Sequence, residues 1–147
     1  MPTIIPDYVY SLFAALIVGV IVVSCCSVAT NAIRVDADKQ QLRNVAEYVA
    51  TQSLMLLSHG DAGTQNVTQY LDVPSQVGHQ RFWIRITNDT STAWVESGFG
   101  AEVLSSQIKV EVPANVAASG SFVSGSGRAL LQCSFESGVA SLTLTQE

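Results

Sequence analysis

Two histidines, three cysteines and two tryptophans are the side chains here with the most scope for chemistry. His59 stands two residues before Asp61 in "SHGDAG". Imidazole and carboxylate at that spacing can share a metal ion, but two ligands in a flexible loop do not close a coordination shell. His59 and His79 are therefore read as solvated loop residues. Adjacent Cys25 and Cys26 in a helical run cannot bridge each other, Cys133 has no evident mate, and no CxxC or His/Cys spacing suggests zinc. In "ALLQCSFES", Leu131, Cys133 and Phe135 alternate with Gln132 and Ser134, so Cys133 is expected to face a core as a small hydrophobe. There is no GxSxG, HExxH or phosphate loop, "GFG" (98–100) reads as a turn, and the 12 acidic residues are scattered. Trp83 and Trp94 suit a sugar- or surface-binding face, but such residues more often cover a small core or meet a neighbouring subunit. The expectation is a protein that is not an enzyme and holds no cofactor or metal.

Composition narrows the partners. The formal charge is −5 and the pI about 4.8, with no basic stripe, which excludes nucleic acid as a partner. Charged residues make up only 13% of the chain, and the deficit is local. Tyr8 to Ile33 is 26 residues without a charge, where about 20 cross a bilayer core. Its 14 large apolar side chains represent roughly 20–40 kcal/mol of burial that water does not supply. A helix apolar on every face is buried on every face, in lipid or against copies of itself. Tyr8, Leu12, Phe13, Leu16, Ile17, Gly19, Val20, Ile21 and Val23 are the expected membrane or filament-core residues. Small residues (Ser11, Ala14, Ala15, Gly19, Ser24, Ser27, Ala29) run through the segment, with Ala15 and Gly19 a small-xxx-small pair that lets backbones approach. A secretory signal wants a basic n-region, which "MPTIIPD" lacks, while "VVSC" resembles a lipoprotein-processing box at Cys25. Arg34, Lys39 and Arg43 follow the run and no cation precedes it. Taken literally, that charge bias puts the C-terminal part in the cytoplasm; alternatively, a basic leader was removed ahead of residue 1.

The elements around these residues follow from periodicity. Beyond Val35, Leu42, Val45, Ala46, Val49, Ser53, Leu56 and Leu57 recur at three- and four-residue steps among polar neighbours, so the helix continues as an amphipathic one. Pro6 and Asp7 mark its expected start and Gly60 its C-terminal cap. That is about 53 residues, or roughly 80 Å. Period-two alternation then marks strands in "RFWIRIT", "TAWVESG", "QIKVEVP", "ALLQCSFES" and "GVASLTLTQ", the last two a hairpin around Ser137 and Gly138. "NDTS" (88–91) and "SGSG" (124–127) are turns by composition. The expected fold is α+β: an assembly helix (1–59), a linker (60–79) and an antiparallel β domain (80–147), sandwich-like or a curved sheet on the helix, with five to seven strands. The β segment alone is marginal in size, and the helix stripe completes its core.

An unbroken N-terminal assembly helix whose amphipathic half packs under a β domain resembles the plan of the type IV pilin superfamily, the archaeal pilins and archaellins most closely. "YLDVPSQVGHQRFWIRI" (70–86) is similar to the step leading into the first alternating strand of archaeal pilin-like β domains, and "IKVEVPANVAASGSFVSGSGRALLQCSF" to their later strands. The sequence departs from the superfamily in two ways. No Lys/Arg-Gly leader site precedes the run, and the fifth position is Ile5 rather than the glutamate of bacterial pilins, with Asp7 nearby. The resemblance implies a homopolymer of identical subunits with helices in the core and β domains outside. It also implies insertion in the cytoplasmic membrane before assembly, a dedicated assembly machinery, and a role in adhesion or motility at the cell surface. Two sequons, Asn66-Val-Thr and Asn88-Asp-Thr, suit a glycosylated exterior. The competing reading is a singly anchored β domain that binds a partner, as a stator or at a surface layer. A bare anchor tolerates a flexible linker, whereas here the helix runs on without a hinge.

Overall fold

The computed structural model describes residues 4–59, 66–89, 92–101, 103, 106–112, 116–136 and 139–147. Helix α1 runs Ile4–His59, 56 residues with no interruption. It begins two residues ahead of Pro6, which is tolerated because the first-turn amides have no intrahelical acceptor in any case. The expected cap, Gly60, lies outside the described residues. Two compact units divide the chain, residues 1–37 and 38–147. The first unit is the leading part of α1.

The second unit joins the rest of α1 to seven strands: β1 (Asn66–Leu71), β2 (Phe82–Asn88), β3 (Ala93–Phe99), β4 (Ile108–Val112), β5 (Ala117–Val123), β6 (Ala129–Glu136) and β7 (Val139–Gln146). They form one sheet in the order β1-β6-β7-β5-β2-β3-β4, antiparallel except for the β5–β7 pair. The α+β expectation is met by this sheet with the helix as its second layer. The five strands expected from alternation are all present, and the terminal hairpin closes with Glu136 opposite Val139; its turn residues, Ser137 and Gly138, lie outside the described residues. The "SGSG" segment is a turn, and at "NDTS" the Asp89 amide donates to the Thr92 carbonyl at 2.9 Å. Strand β1 and the Val77–Gln80 turn both fall inside the segment expected as a linker.

Alternation decides which side chains meet. Phe82, Ile84, Ile86, Val95, Val112, Phe122, Leu131, Cys133, Leu142 and Leu144 share one face and are buried in a single cluster with Leu42, Val45, Ala46, Val49, Ala50 and Leu56 of α1. Ser53 sits within the helix stripe, fully buried, and its hydroxyl donates to the Val49 carbonyl at 2.8 Å, which pairs that donor. Gln69 of β1 points the same way and donates to Gln52 of the helix at 2.9 Å. Cys133 is fully buried as expected, and burial pushes its thiol up.

Strand β5 depends on a glycine. Gly120 has φ +116°, and a Cβ there would lie 2.0 Å from the Leu144 carbonyl oxygen of β7. Both the backbone angle and the approach of the two strands forbid a side chain. Gly120→Ala is expected to cost about 3 kcal/mol or more. Denaturation of the detergent-solubilised chain, followed by tryptophan fluorescence, checks this; an unchanged midpoint would mean that the β5–β7 pairing tolerates displacement.

Candidate functional site

From Tyr8 to Ala37 every residue of α1 is exposed. The values are high even for large apolar side chains: 72% at Tyr8, 70% at Val23 and 69% at Ile33. All the expected membrane or core residues lie on this surface, and no other part of the described chain covers them. The backbone here is fully used by the helix, the one open structure that an apolar medium accepts. The hydroxyls are satisfied in the same way: Ser11 donates to Tyr8 O at 2.9 Å, Ser24 to Val20 O and Thr30 to Cys26 O, each at 2.8 Å. These internal bonds remove the need for water at three polar positions.

The surface has relief. Around Gly19 a groove of about 600 Å³ is lined by Leu12, Ala15, Leu16, Gly19, Val20, Val23 and Ser24. Nothing lies within 4 Å of where a Gly19 Cβ would be, so the groove floor is helix backbone. A second groove, about 320 Å³, runs between Phe13, Leu16, Ile17, Val20 and Ile21. Grooves of this kind receive the ridges of another helix.

The other candidates are used inside the chain. His59 ends the helix, its Nδ1 2.8 Å from the Met55 carbonyl, and its supposed partner Asp61 lies outside the described residues. His79 is exposed in the two-residue turn Val77–Gln80. Among the described residues no group of three or more His, Cys, Asp or Glu could hold a metal. Asn66 opens β1 and Asn88 closes β2, both exposed, as is Thr68; Thr90 of the second sequon lies outside the described residues.

The tryptophans sit on the sheet face away from the helix. Trp83 is fully buried over Gly98, where a Cβ would come within 2.7 Å of the indole. Arg85 stands above Trp83 at 5.8 Å and holds Glu96 through its guanidinium, Nε to Oε2 being 3.0 Å. The Trp94 indole donates to the other Glu96 oxygen at 2.9 Å, and Lys109 caps the Trp94 ring at 3.7 Å. This ladder across β2, β3 and β4 engages both tryptophans, Trp83 fully buried and Trp94 half-buried. Sequence reasoning noted the tryptophans but not the charges that link them; Arg85 and Glu96 are directly opposed in the register, which needs the strand pairing to be known.

No known protein family, curated protein or solved structure matches the chain. The uncovered helix surface is therefore judged on its own physics. It is apolar and exposed, and long enough by length and composition to cross a membrane.

Glu96 gives the sheet a pH signature. Burial on its own raises this carboxyl, but hydrogen bonds from Arg85 and Trp94, with the charges of Arg85 and Lys109, outweigh burial and hold it below the usual carboxylate range. A folded value below the unfolded one adds stability that is complete above the ordinary carboxyl pKa and disappears as pH falls through the folded value. The stability advantage of the wild type over Glu96→Gln, present at pH 6, should shrink below about pH 4.5 and vanish in stronger acid. Denaturation midpoints of both proteins across that range test it; parallel curves would remove the ion pair from the account.

Proposed function

We propose that this chain is the structural subunit of an extracellular helical filament of the archaeal type IV pilus kind. Its helices pack in the core, its β domains face outward, and the polymer serves adhesion or motility. The observation that carries the proposal is the uncovered surface of α1 from Tyr8 to Ile33 on the same helix whose later half is a working part of the β-domain core. An anchor needs only the first of these. A subunit needs both, because one element then commits the domain to the polymer.

The mechanism is physical. Before assembly, Tyr8–Ile33 lies in the cytoplasmic membrane. On assembly it exchanges lipid for the same segment of identical subunits. Both surroundings are apolar, so the exchange has little hydrophobic driving force, and close packing decides the outcome. Repetition through a contact between two different surfaces gives an open helical polymer. Extraction from the membrane is the task of an assembly machinery, and exposed Asn66 and Asn88 are candidate glycosylation positions on the outside.

Surface material sheared from the native cells should contain thin filaments by negative-stain microscopy, and mass spectrometry of that fraction should yield this chain with Tyr8–Ile33 intact. Retention of the chain in the membrane pellet, with none in the sheared fraction, would overturn the filament and leave the singly anchored β domain. Gly19→Ile fills the groove floor without reducing apolarity. It is expected to lower the sheared yield roughly tenfold while the membrane content stays as in wild type. An unchanged yield would take the Gly19 groove out of the packing contact.

A further inference from the structure

Among the described residues, Arg34 and Asp36 at the end of the apolar surface have no partners. Both are exposed. Two residues apart on a helix is about 200° of rotation, so they face opposite sides and cannot reach each other. Asp38, four residues after Arg34, has the right spacing, but it is partly buried with its carboxylate against Gly78, where a Cβ would lie 2.5 Å from Oδ1. Lys39, three residues after Asp36, makes no pair with it either. The same helix can close such pairs, since Arg43 and Glu47 do so at 3.0 Å. The isolation of Arg34 and Asp36 is thus a property of their positions and not of α1 in general.

We propose that Arg34 of one copy pairs with Asp36 of the next, and that this contact repeats along the polymer; the inference rests on the filament reading above. Packing copies along Tyr8–Ile33 draws the adjoining charges out of bulk water, and a charge so placed is costly unless it meets its opposite. One copy offers a cation on one side of the helix and an anion on the other. That is a contact between two different surfaces, which propagates without closing on itself.

Arg34 and Asp36 come level when parallel helices are offset by two residues, about 3 Å. The two charges sum to zero, so the belt adds no net repulsion as copies accumulate. The pair would thus set a stagger that the apolar surface does not set.

The experiment replaces the gene in the native cells by variants and compares the chain in the sheared and membrane fractions. Arg34→Asp and Asp36→Arg each place like charges together and are expected to lower the sheared yield about tenfold or more. The exchange Arg34→Asp with Asp36→Arg restores the pair with its polarity reversed and should recover most of the yield. Protection of Cys133 from alkylation in the membrane fraction confirms that each variant has a folded β domain. Wild-type yield in both single variants would overturn the inference, as would loss in the singles without recovery in the exchange. Absence of wild-type chain from the sheared fraction would instead overturn the filament reading, and this inference with it.

Discussion

The contact on which the second unit depends is the burial of one helix stripe, Leu42 to Leu56, against one face of the sheet. A single sheet of short strands has two faces and no interior. It acquires an interior only when something apolar lies along one face, and here a second sheet is replaced by about four turns of α1. The opposite face solves its own problem differently, by hydroxyls and a charge ladder. Ser134 and Ser141 share a hydrogen bond at 2.6 Å, and Glu96 is gripped by Arg85 and Trp94. Removing the helix would strip the core of half its walls while leaving that outer ladder intact. The β domain and the rest of the helix are therefore one folding problem.

That dependence explains which parts of the fold were legible from residue order. The stripe and strands β2, β3, β4, β6 and β7 show plain periods because their aliphatic residues line the face toward the helix, even though Trp83 of β2 is buried on the other face. Strand β1 reads as linker because Asn66, Thr68 and Gln69 disguise it; just Leu71 is fully committed to the core, and Gln69 is there for Gln52 of the helix. Strand β5, "AASGSFV", has alanine, serine and glycine where strand formers are expected. It lies between β7 and β2, where it contributes Phe122 to the core and, at Gly120, a close approach to β7. Neither reason is local, so neither could be read from a window of sequence.

The candidate site shows the reverse balance. Its extent was legible, because an uncharged run of this length stands out in the sequence and the same residues are exposed along α1. Its relief was not. A small-xxx-small pair at Ala15 and Gly19 is common in any apolar helix, and only coordinates distinguish a pair that opens a groove from one masked by its neighbours. The tryptophans were legible in part: a core-covering role is the commoner one for such residues and Trp83 is fully buried, but the cross-strand partners that hold both rings follow only from the strand register.

An apolar surface that is exposed all round the helix is a strong reason to associate and a poor instruction about how. Lipid satisfies it as well as protein does, and any rotation of one copy about its axis satisfies it almost as well as another. Any specificity of such a surface has to come from the few places where it is not uniform: the Gly19 depression and the exposed charges Arg34 and Asp36 at its end. The internal bonds of Ser11, Ser24 and Thr30 sharpen the contrast by silencing three polar groups that would otherwise compete. A helix built in this way leaves attraction to its length and geometry to its exceptions. The same division holds in the β domain, where the large residues collapse the core and Gly120 and Gln69 decide which strand lies where.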